Sequence, residues 1–501
     1  MLDLTTIFSL TAIFLLTYLW LRRPKLNLPP CPTRPLPFLG NLLALEENPR
    51  SQFRKWQKEV GEIFTLYMGS KLVVVVSGYD LIKELFLKRA HLFSDRPQVA
   101  FDMVNKFPQS GLAFSNGHKW KEQRTLSLKI LRDFGMGKNV MAEKIQEEVA
   151  HFLDLLAKLE GQPSDIRVAT NISTCNVISS IVLGHRFEYH DQRLQDLIVR
   201  ITALLSDTQF NGIVNFIPYV RFIPGDFFHI KKIKKTTDDI LDFLNTFVQK
   251  KGVDEYDENH SDNLITAYIS ELNSKQSTSQ QTTLSKNELL KSLFDLFIGG
   301  TETTSTTITW CLLYVVNNPD VQKKIYDELK EQVGTNRTPC IQDKPKLIYL
   351  NAVIKETQRV ASIIPHSVTH TCTEDAEVRG YTIPKGTYIS PNLDSVLHDP
   401  KIWGDDVMEF KPERFIDQDG KLKTPEEFIP FSIGRRVCLG ESLAVMELFL
   451  YLSSIFHRFE ILPATPGSPP PIDYKFGIVA SPAPYQLRFL LRGVNGFALK
   501  I

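Results

Sequence analysis

The chain has 501 residues, with 58 Lys and Arg against 57 Asp and Glu, and its formal net charge is +1. A balance so near neutrality excludes nucleic-acid binding driven by bulk electrostatics. The six cysteines lie far apart without a Cys-x-x-Cys pair, which excludes the usual zinc spacings and a small disulfide framework. A reducing compartment, in which a lone cysteine is kept for its thiolate, is the simpler interpretation.

The first patterned segment runs from Leu4 to Leu21 and contains no charged residue. As a helix it would be about 27 Å long, which matches a thin bilayer. A cleaved signal peptide is the alternative, but Arg22 and Arg23 follow the apolar run and no small-residue cleavage site comes after it. We therefore predict a single-pass transmembrane signal anchor at residues 1–21, with the body on the cytoplasmic side because the basic residues follow the span.

Residues 22–45 are the next segment, and five prolines lie between Pro29 and Pro37. Proline fixes φ and removes a backbone donor, so the segment favours a stiff, extended hinge. A ligand for proline-binding domains is the competing interpretation. Residues 46–501 contain no convincing linker and no repeat, so we predict that they form one large domain.

This domain is predicted to be mainly α-helical, with small peripheral β-sheets. Ser285 and Glu288 fit a capping box, and they open an apolar segment that runs to Asn318, just before Pro319. A helix of that length would be about 50 Å long and would cross an entire domain. The polar stretch of residues 253–283, which precedes it, is predicted to be a surface loop joining two helices.

Strands are predicted in a few short segments. Residues 62–68 and 71–76 fit two strands, and Gly69-Ser70 between them favours a hairpin. Residues 381–389, interrupted by Pro384-Lys385-Gly386, are predicted to form a second hairpin. Residues 485–492 alternate apolar and more polar side chains, as a half-buried strand does.

The most restrictive pattern is Phe431-Ser-Ile-Gly-Arg-Arg-Val-Cys-Leu-Gly440. Gly434 and Gly440 allow the backbone to turn sharply and to approach a flat cofactor, and Arg436 can reach an acidic edge. A lone cysteine between glycines is more often structural than ligating. The complete F-x-x-G-x-R-x-C-x-G pattern, however, resembles the haem-binding signature of the cytochrome P450 monooxygenases. That resemblance implies haem b as the cofactor, with Cys438 as the axial ligand of its iron.

Glu356-Thr-Gln-Arg359 lies on a predicted helix, where residues three apart share a face. Glu356 can therefore pair with Arg359, and also with Arg414 in the segment Pro412-Glu-Arg-Phe415. An ordinary surface ion pair is the bland alternative. In the family that the chain resembles, these elements form a salt-bridged core behind the cysteine loop.

Trp120 and Arg124, spaced i, i+4, project from one face of a predicted helix, and both are hydrogen-bond donors. The resemblance implies five donors to the two haem propionates: Arg96, Trp120, Arg124, His366 and Arg436. Such a set would neutralise a partly buried dianion. His370 is a weaker candidate for the same role, and the spacing of the two histidines also fits a metal site, although no helix is predicted there.

Gly299-Gly-Thr-Glu-Thr-Thr304 lies in the middle of the long helix, where glycine and threonine weaken helical structure locally. The segment resembles the oxygen-activating groove of the family. The resemblance implies that Glu302 and Thr303 are catalytic, with the acid and the alcohol organising a proton relay through water. A packing compromise in the helix, with Thr303 bonded only to an i−4 carbonyl, is the alternative.

The resemblance covers essentially the whole chain and is strongest to the animal microsomal group, which includes drug-, fatty-acid- and steroid-hydroxylating enzymes. It implies a substrate pocket lined by Phe114, Phe297, Ile298, Gly299, Ile364, Val368 and Val479. These residues are largely apolar, so a lipophilic small molecule is the expected substrate. Which molecule does not follow from the sequence.

The resemblance also implies a location and partners. The enzyme would sit in the endoplasmic reticulum membrane and take NADPH electrons from NADPH-cytochrome P450 reductase, because the chain shows no site of its own for flavin or nicotinamide. Cytochrome b5 is a further candidate partner. Two other functions are considered: a haem-thiolate isomerase or dehydratase, which commonly lacks the acid–alcohol pair, and a non-catalytic haem sensor.

Overall fold

The computed structural model describes residues 26–98, 106–135, 139–206, 213–253 and 263–493, together with Asp3, Thr11 and Phe14. Within those ranges the α-helices are α1 (Pro49–Val60), α2 (Tyr79–Lys83), α3 (Ala90–Phe93), α4 (Gly117–Asp133), α5 (Asn139–Ala157), α6 (Arg167–Val182), α7 (Gln192–Ser206), α8 (Ile230–Val253), α9 (Leu264–Ser277), α10 (Lys286–Asn317), α11 (Pro319–Gln332), α12 (Ile348–Ala361), α13 (Asp394–Leu397), α14 (Pro400–Trp403) and α15 (Glu441–Arg458). The strands are β1 (Ile63–Met68), β2 (Lys71–Val76), β3 (His370–Thr371), β4 (Ala376–Val378), β5 (Tyr381–Ile383), β6 (Tyr388–Pro391), β7 (Phe459–Pro463), β8 (Tyr474–Lys475), β9 (Ser481–Pro482) and β10 (Leu487–Leu491). The predicted class, mainly α with small sheets, is confirmed.

Helix α10 is the axis of the domain and follows the predicted span closely. The Ser285 side chain caps it, because Ser285 Oγ accepts from the Glu288 N–H at 3.2 Å. The Glu288 carboxylate does not complete the predicted capping box: it accepts from Gly111 N at 2.9 Å and pairs with Lys119 at 2.9 Å. α10 packs against α6, α12 and α15, and their apolar side chains form the largest core cluster of the described chain.

The sheets are small and lie around the helices. β1 pairs with β2 in antiparallel register, which confirms the first predicted hairpin. The second predicted hairpin, at residues 381–389, is wrong. β5 pairs with β4, whereas β6 pairs in parallel with β2 and antiparallel with β3, so Pro384-Lys385-Gly386 links two different sheets. β10 lies inside the predicted strand at residues 485–492 and pairs with β7.

The prediction of a surface loop at residues 253–283 is wrong for its described part, because α9 lies inside it. Asn263 caps this helix, its side chain accepting from Thr266 N at 3.1 Å. Leu264, Tyr268 and Leu272 recur every fourth residue and are buried, so the polar composition concealed one apolar helix face.

The predicted anchor at residues 1–21 lies outside the described residues except for Asp3, Thr11 and Phe14. Among the helices that the structure describes, none combines the length and the hydropathy needed to cross a bilayer.

The predicted ion-pair core at Glu356 is confirmed. Arg359 Nε and Nη2 donate to the Glu356 carboxylate at 2.7 and 2.8 Å, and both side chains are fully buried. Arg414 Nε donates to the same carboxylate at 3.3 Å. This is a fully desolvated network and not a surface pair, so removing one member would leave buried charge without a partner.

Candidate functional site

Close backbone contacts fix the conformation of the cysteine loop, residues 431–440. Gly434 has φ +83°, and a Cβ at that position would lie 1.9 Å from the Phe86 carbonyl oxygen, so no larger residue fits there. Cys438 N donates to Phe431 O at 3.1 Å, which closes the loop immediately before α15. The Cys438 side chain is consequently exposed, and it lines a cavity inside the domain.

This cavity, of about 400 Å³, lies between the cysteine loop and α10. Most of its wall is apolar: Leu112, Ala113, Leu131, Ile178, Ile181, Val182, Leu296, Ile363, Ile364, Val368, Leu393, Leu397, Phe431, Leu439, Leu443, Ala444, Leu448 and Ile478. An apolar wall with a few polar groups is typical of a small-molecule or cofactor site.

One side of the cavity carries a cluster of cationic side chains: Arg96, Arg124 and Arg436, with Trp120 between them. The Arg436 guanidinium stacks 4.0 Å from the centre of the Trp120 ring, and Arg124 lies 5.8 Å from the same ring. Arg436 is fixed by Ser94 O at 2.9 Å and Ser115 O at 2.6 Å. Arg124 donates to Val437 O at 2.8 Å, which ties α4 to the cysteine loop.

No carboxylate of the described chain forms a salt bridge with the arginine cluster, although the charge of Asp95 acts on Arg436. Within the described ranges, Arg96, Arg124 and Arg436 form no salt bridge, although each lines the cavity. Burial and the neighbouring arginines lower the pKa of Arg96 to about 9. Burial also lowers the pKa of Arg436 to about 9; the charge of Asp95 opposes this shift and that of Arg124 adds to it. Three cations held together in this way create a strong preference for an anionic ligand.

The two candidate histidines occupy different environments. His366 lies away from the arginine cluster, its ring packed 4.6 Å from Phe53, and burial lowers its pKa to about 4. His370 lies in β3, and its pKa is held well below the usual value by burial and then by the charges of Arg96 and Arg436. His370 Nδ1 and both ring nitrogens of His366 are buried without a hydrogen-bond partner among the described residues, and neither histidine is part of the cavity wall. The structure therefore places His370, and not the preferred His366, beside the cations.

The opposite wall is one face of α10, built by Gly299, Gly300, Thr303, Thr304 and Thr307. A Cβ on Gly300 would lie 2.4 Å from a side-chain carbon of Ile178, so glycine lets α6 pack directly on this turn. A Cβ on Gly299 would meet nothing within 4 Å, which leaves open space at the cavity wall. Thr303 Oγ1 donates to Gly299 O at 2.7 Å, so the hydroxyl lines the cavity while bonded to its own helix.

The carboxylate of Glu302 is directed toward α6 and α7. Glu302 Oε2 accepts from Asn171 Nδ2 at 3.0 Å and from Thr202 Oγ1 at 3.1 Å, and Glu302 is not part of the cavity wall. Burial raises the pKa of this carboxyl, and the two donors oppose that effect. The predicted acid and alcohol are adjacent in sequence, but they face different surroundings.

Three of the seven residues predicted to line a substrate pocket do line the cavity: Gly299, Ile364 and Val368. Phe114, Phe297, Ile298 and Val479 do not. Phe297 is fully buried in the core, because the cavity face of α10 runs through residues 296, 299, 300 and 303. Sequence reasoning missed the α6 residues Ile178, Ile181 and Val182. Their helix is buried on nearly every side and mixes apolar with small polar residues, so its sequence shows no distinct apolar face.

A thiol at the base of an apolar cavity, three arginines on its wall and a glycine-threonine groove are features of a mainly α protein that would enclose an anionic cofactor. The family model described as Cytochrome P450 matches residues 29–489, and the chain belongs to that family.

Curated relatives match over most of their length. Cytochrome P450 2B2 of Rattus norvegicus is 37% identical over 473 residues, which is 93% of this chain and 94% of that protein. Cytochrome P450 2C3 of Oryctolagus cuniculus is 36% identical over 471 residues, with 93% and 94% covered. Cytochrome P450 2E1 of Rattus norvegicus is 38% identical over 440 residues, or 87% of each chain.

The chain is accordingly a haem-thiolate monooxygenase that acts on lipophilic molecules and depends on an electron-donating redox partner. The residues present fit haem b. Its two propionates would match the charge of the arginine cluster, where Arg96 Nε is buried without a partner among the described residues. Its planar ring suits the apolar walls, and the Cys438 thiol opens into the same space.

Proposed function

We propose that Cys438 is the axial ligand of the haem iron, and that five side chains bind the propionates: Arg96, Trp120, Arg124, His370 and Arg436. The observation that carries this assignment is a cluster of three arginines, with Arg96 and Arg436 buried and Arg124 half-buried, that form no salt bridge in the described chain and lie on the wall of the cavity that Cys438 enters. His370 takes the role first considered for His366, because it shares the electrostatic environment of Arg96 and Arg436.

Haem bound there would supply dioxygen activation and the oxidising power for monooxygenation. The protein's own residues would bind the substrate and hold the proton that the reaction needs. The apolar wall excludes water and orients a lipophilic substrate, and Thr303 Oγ1 holds a proton at the cavity face of α10. Glu302 lies behind that turn, in contact with Asn171 and Thr202, and we assign it the connection between Thr303 and solvent.

Cys438→His tests the ligand. We expect the variant to retain some haem and to lose the red-shifted absorption band of the ferrous–CO complex, because that band requires a thiolate ligand. Cys340→Ser is the matched control, since Cys340 is a half-buried cysteine outside the cavity. A red-shifted band in Cys438→His would show that another residue binds the iron.

His370→Ala and His366→Ala separate the two histidines. Loss of His370 removes a ring nitrogen beside Arg96 and Arg436, so haem should dissociate several-fold faster to a haem-scavenging protein. His366→Ala leaves a cavity beside Phe53, and we expect it to lower thermal stability with little effect on haem dissociation. Faster haem loss in His366→Ala alone would reverse the assignment.

Electrons are proposed to come from NADPH-cytochrome P450 reductase, with cytochrome b5 as a second donor. Arg132 and Arg435 are exposed on elements that flank the cysteine side, whereas Lys129 is paired with Glu271 at 3.3 Å. Charge reversal of Arg132 should slow haem reduction at low salt and matter less at high salt, because steering is screened. A reduction rate that is unchanged at every salt concentration would exclude this docking face.

We assign residues 1–21 to a single-pass anchor in the endoplasmic reticulum membrane, residues 22–45 to a hinge, and residues 46–501 to the catalytic domain on the cytoplasmic side. Support comes from the uncharged run and the basic residues after it. In sealed microsomes, externally added protease should digest the body while a short N-terminal fragment stays protected. Protection of the whole body would place it in the lumen.

A xenobiotic, a fatty acid or a steroid is the proposed class of substrate, to be sought by spin-state shifts and product analysis.

A further inference from the structure

One segment of the cavity wall, residues 362–368, has no regular secondary structure, and we call it the wall turn. It follows α12 and precedes β3, and five of its seven residues line the cavity: Ser362, Ile363, Ile364, Ser367 and Val368. Ser362 and Ser367 have left-handed backbone conformations, with φ +41° and +50°, although neither is glycine. Such conformations are disfavoured for L-residues and persist where the surrounding structure holds them. The shape of the wall turn therefore depends on contacts from outside it.

Two of these contacts come from a pair of charged residues that belong to distant parts of the chain. The backbone N–H of Asp394, on α13, donates to Pro365 O within the wall turn at 3.1 Å. The guanidinium of Arg50, on α1, donates through Nη1 to Ala361 O, immediately before the wall turn, at 3.3 Å. Together they hold the backbone at the start and in the middle of this segment.

Arg50 and Asp394 also bind each other. Arg50 Nε donates to Asp394 Oδ1 at 3.0 Å, Nη2 donates to the same oxygen, and the side chains are only 6% and 2% exposed. His398 Nδ1 lies 2.9 Å from Asp394 Oδ1, while His398 Nε2 lies 3.1 Å from Val360 O. Burial opposes ionisation of Asp394, but His398 and Arg50 hold its pKa well below the usual value. Asp394 is therefore a carboxylate at neutral pH.

Stability alone does not account for charges at this position. Desolvation of a buried ion pair offsets most of its attraction, so an apolar pair of similar volume would serve the core as well. An apolar side chain, however, cannot donate to a backbone carbonyl. The planar fork of Arg50 has donors for the carboxylate and for Ala361 O at the same time. Leu393 and Leu397, which flank Asp394 in the sequence, both line the cavity, so the acid also lies directly behind the apolar wall.

We propose that Arg50 and Asp394 are positioning residues that set the shape of the wall turn and thereby determine which lipophilic molecules fit the cavity. This inference rests on the proposed function. Neither residue is part of the cavity wall, and both act through Ile364 and Val368, which are. Arg50 lies 311 residues before the carbonyl of Ala361 that it holds, so α1 contributes to the specificity of a site that its own arginine does not touch.

Arg50→Lys is the variant that tests this role. Lysine keeps the charge that Asp394 needs, but it has no fork with which to hold the carboxylate and Ala361 O together. Arg54→Lys is the matched control, because Arg54 also lies on α1, with Nε 3.5 Å from Asp394 Oδ2. The hydrogen bond of Arg54 goes to Met408 Sδ at 3.7 Å and not to the wall turn.

The probes are imidazole and phenylimidazole, whose binding to the haem-loaded full chain is followed by the absorption shift. Imidazole is small and reports on access to the iron, whereas the phenyl group of the larger probe extends toward the apolar wall. Arg50→Lys should weaken phenylimidazole binding several-fold and leave imidazole binding near the parent value. Arg54→Lys should leave both dissociation constants unchanged. A parent-like ratio of the two constants in Arg50→Lys would overturn the proposal.

Hydrogen exchange followed by mass spectrometry gives a local readout. In Arg50→Lys the amides of residues 360–368 should exchange several-fold faster, with the rest of the domain unchanged. Unchanged exchange in this segment, or an equal increase throughout the domain, would overturn the positioning role, because the pair would then serve stability alone.

The double variant Arg50→Met with Asp394→Leu keeps the test open if Arg50→Lys does not fold. It removes both charges, so it should melt near the parent temperature and still show the altered ratio of dissociation constants. Failure of both variants to fold would overturn the proposal. A parent protein whose absorption does not respond to imidazole would instead refute the proposed haem site, while the exchange result on the wall turn would stand.

Discussion

The buried ion pair between Lys291 and Asp295 on α10 gives a prediction with opposite consequences for its two members. Both side chains are almost fully buried, at 0% and 7% exposure, and Lys291 Nζ lies 2.7 Å from Asp295 Oδ1. Asp295 Oδ2 also accepts from Leu112 N at 2.8 Å and Ala113 N at 2.9 Å, in the loop that precedes α4. The carboxylate therefore has three donors, whereas the ammonium has one carboxylate and the aromatic face of Phe294 at 4.5 Å.

Asp295→Asn leaves a wholly buried ammonium without its counter-charge and should lower the free energy of unfolding by about 3–5 kcal/mol. Lys291→Met leaves an acid that still accepts two backbone N–H bonds, and the new side chain fills similar volume. Two charge-assisted hydrogen bonds are worth roughly 1.5–3 kcal/mol each, so they retain much of the stabilisation of the acid. We therefore expect Lys291→Met to cost about half as much.

The assay is denaturant unfolding of the haem-loaded protein, followed by circular dichroism, with haem dissociation measured in parallel. The double variant Lys291→Met with Asp295→Asn should be more stable than Asp295→Asn alone, because it removes the uncompensated cation. Asp295→Asn should also release haem faster, since the loop it anchors continues to Ser115, whose carbonyl fixes Arg436. Equal destabilisation by the two single variants, or a double variant no better than Asp295→Asn, would refute this reasoning.

Three further changes have outcomes that follow from local geometry. Thr303→Ala should lower product per NADPH and raise hydrogen peroxide, while Thr303→Ser stays near the parent; unchanged coupling in Thr303→Ala would mean that the hydroxyl serves only the bond to its own helix. Gly434→Ala should prevent haem incorporation, because its Cβ would lie 1.9 Å from Phe86 O at φ +83°, and absorption spectra with normal haem content would contradict this. Arg337 holds the pKa of Asp343 at about 2, so Asp343 contributes stability that is present above about pH 4 and lost as the pH falls toward 2. Asp343→Asn should remove only about 1 kcal/mol of acid-dependent stability, because Arg337 is half-exposed and solvent screens the ion pair. Acid unfolding curves of the parent and the variant that coincide would refute this.

The sequence predicted features that depend on a few neighbouring residues. The long helix, the pairing of Glu356 with Arg359 and the hairpin at residues 62–76 are all local patterns, in which spacing alone brings the groups together. The projection of Trp120 and Arg124 from one side of α4 toward the cavity belongs to the same class.

Features that depend on tertiary context were not predictable in this way. His366 and His370 lie four residues apart in the sequence. The pairing of β3 with β6, together with the bridge between Thr371 and Asp95, brings His370 beside Arg96. Phe297 and Gly299 belong to the same helix, α10. Which of its faces lines the cavity depends on how α6 packs against it. The partner of β6 is β2, more than three hundred residues earlier, which no local pattern indicates.

The cluster of Arg96, Arg124 and Arg436 explains why the folded protein prefers an anionic ligand. At neutral pH the lowered pKa values of about 9 still leave Arg96 and Arg436 charged, so their repulsion is retained in the folded chain. Backbone carbonyls hold these cations in place: Val368 O at 2.5 Å from Arg96 Nη1, and Ser94 O at 2.9 Å from Arg436 Nε. Carbonyl dipoles orient a guanidinium without neutralising it, so the charge remains available to a ligand. A dianion that binds beside these arginines is therefore attracted by several cations whose positions folding has already fixed.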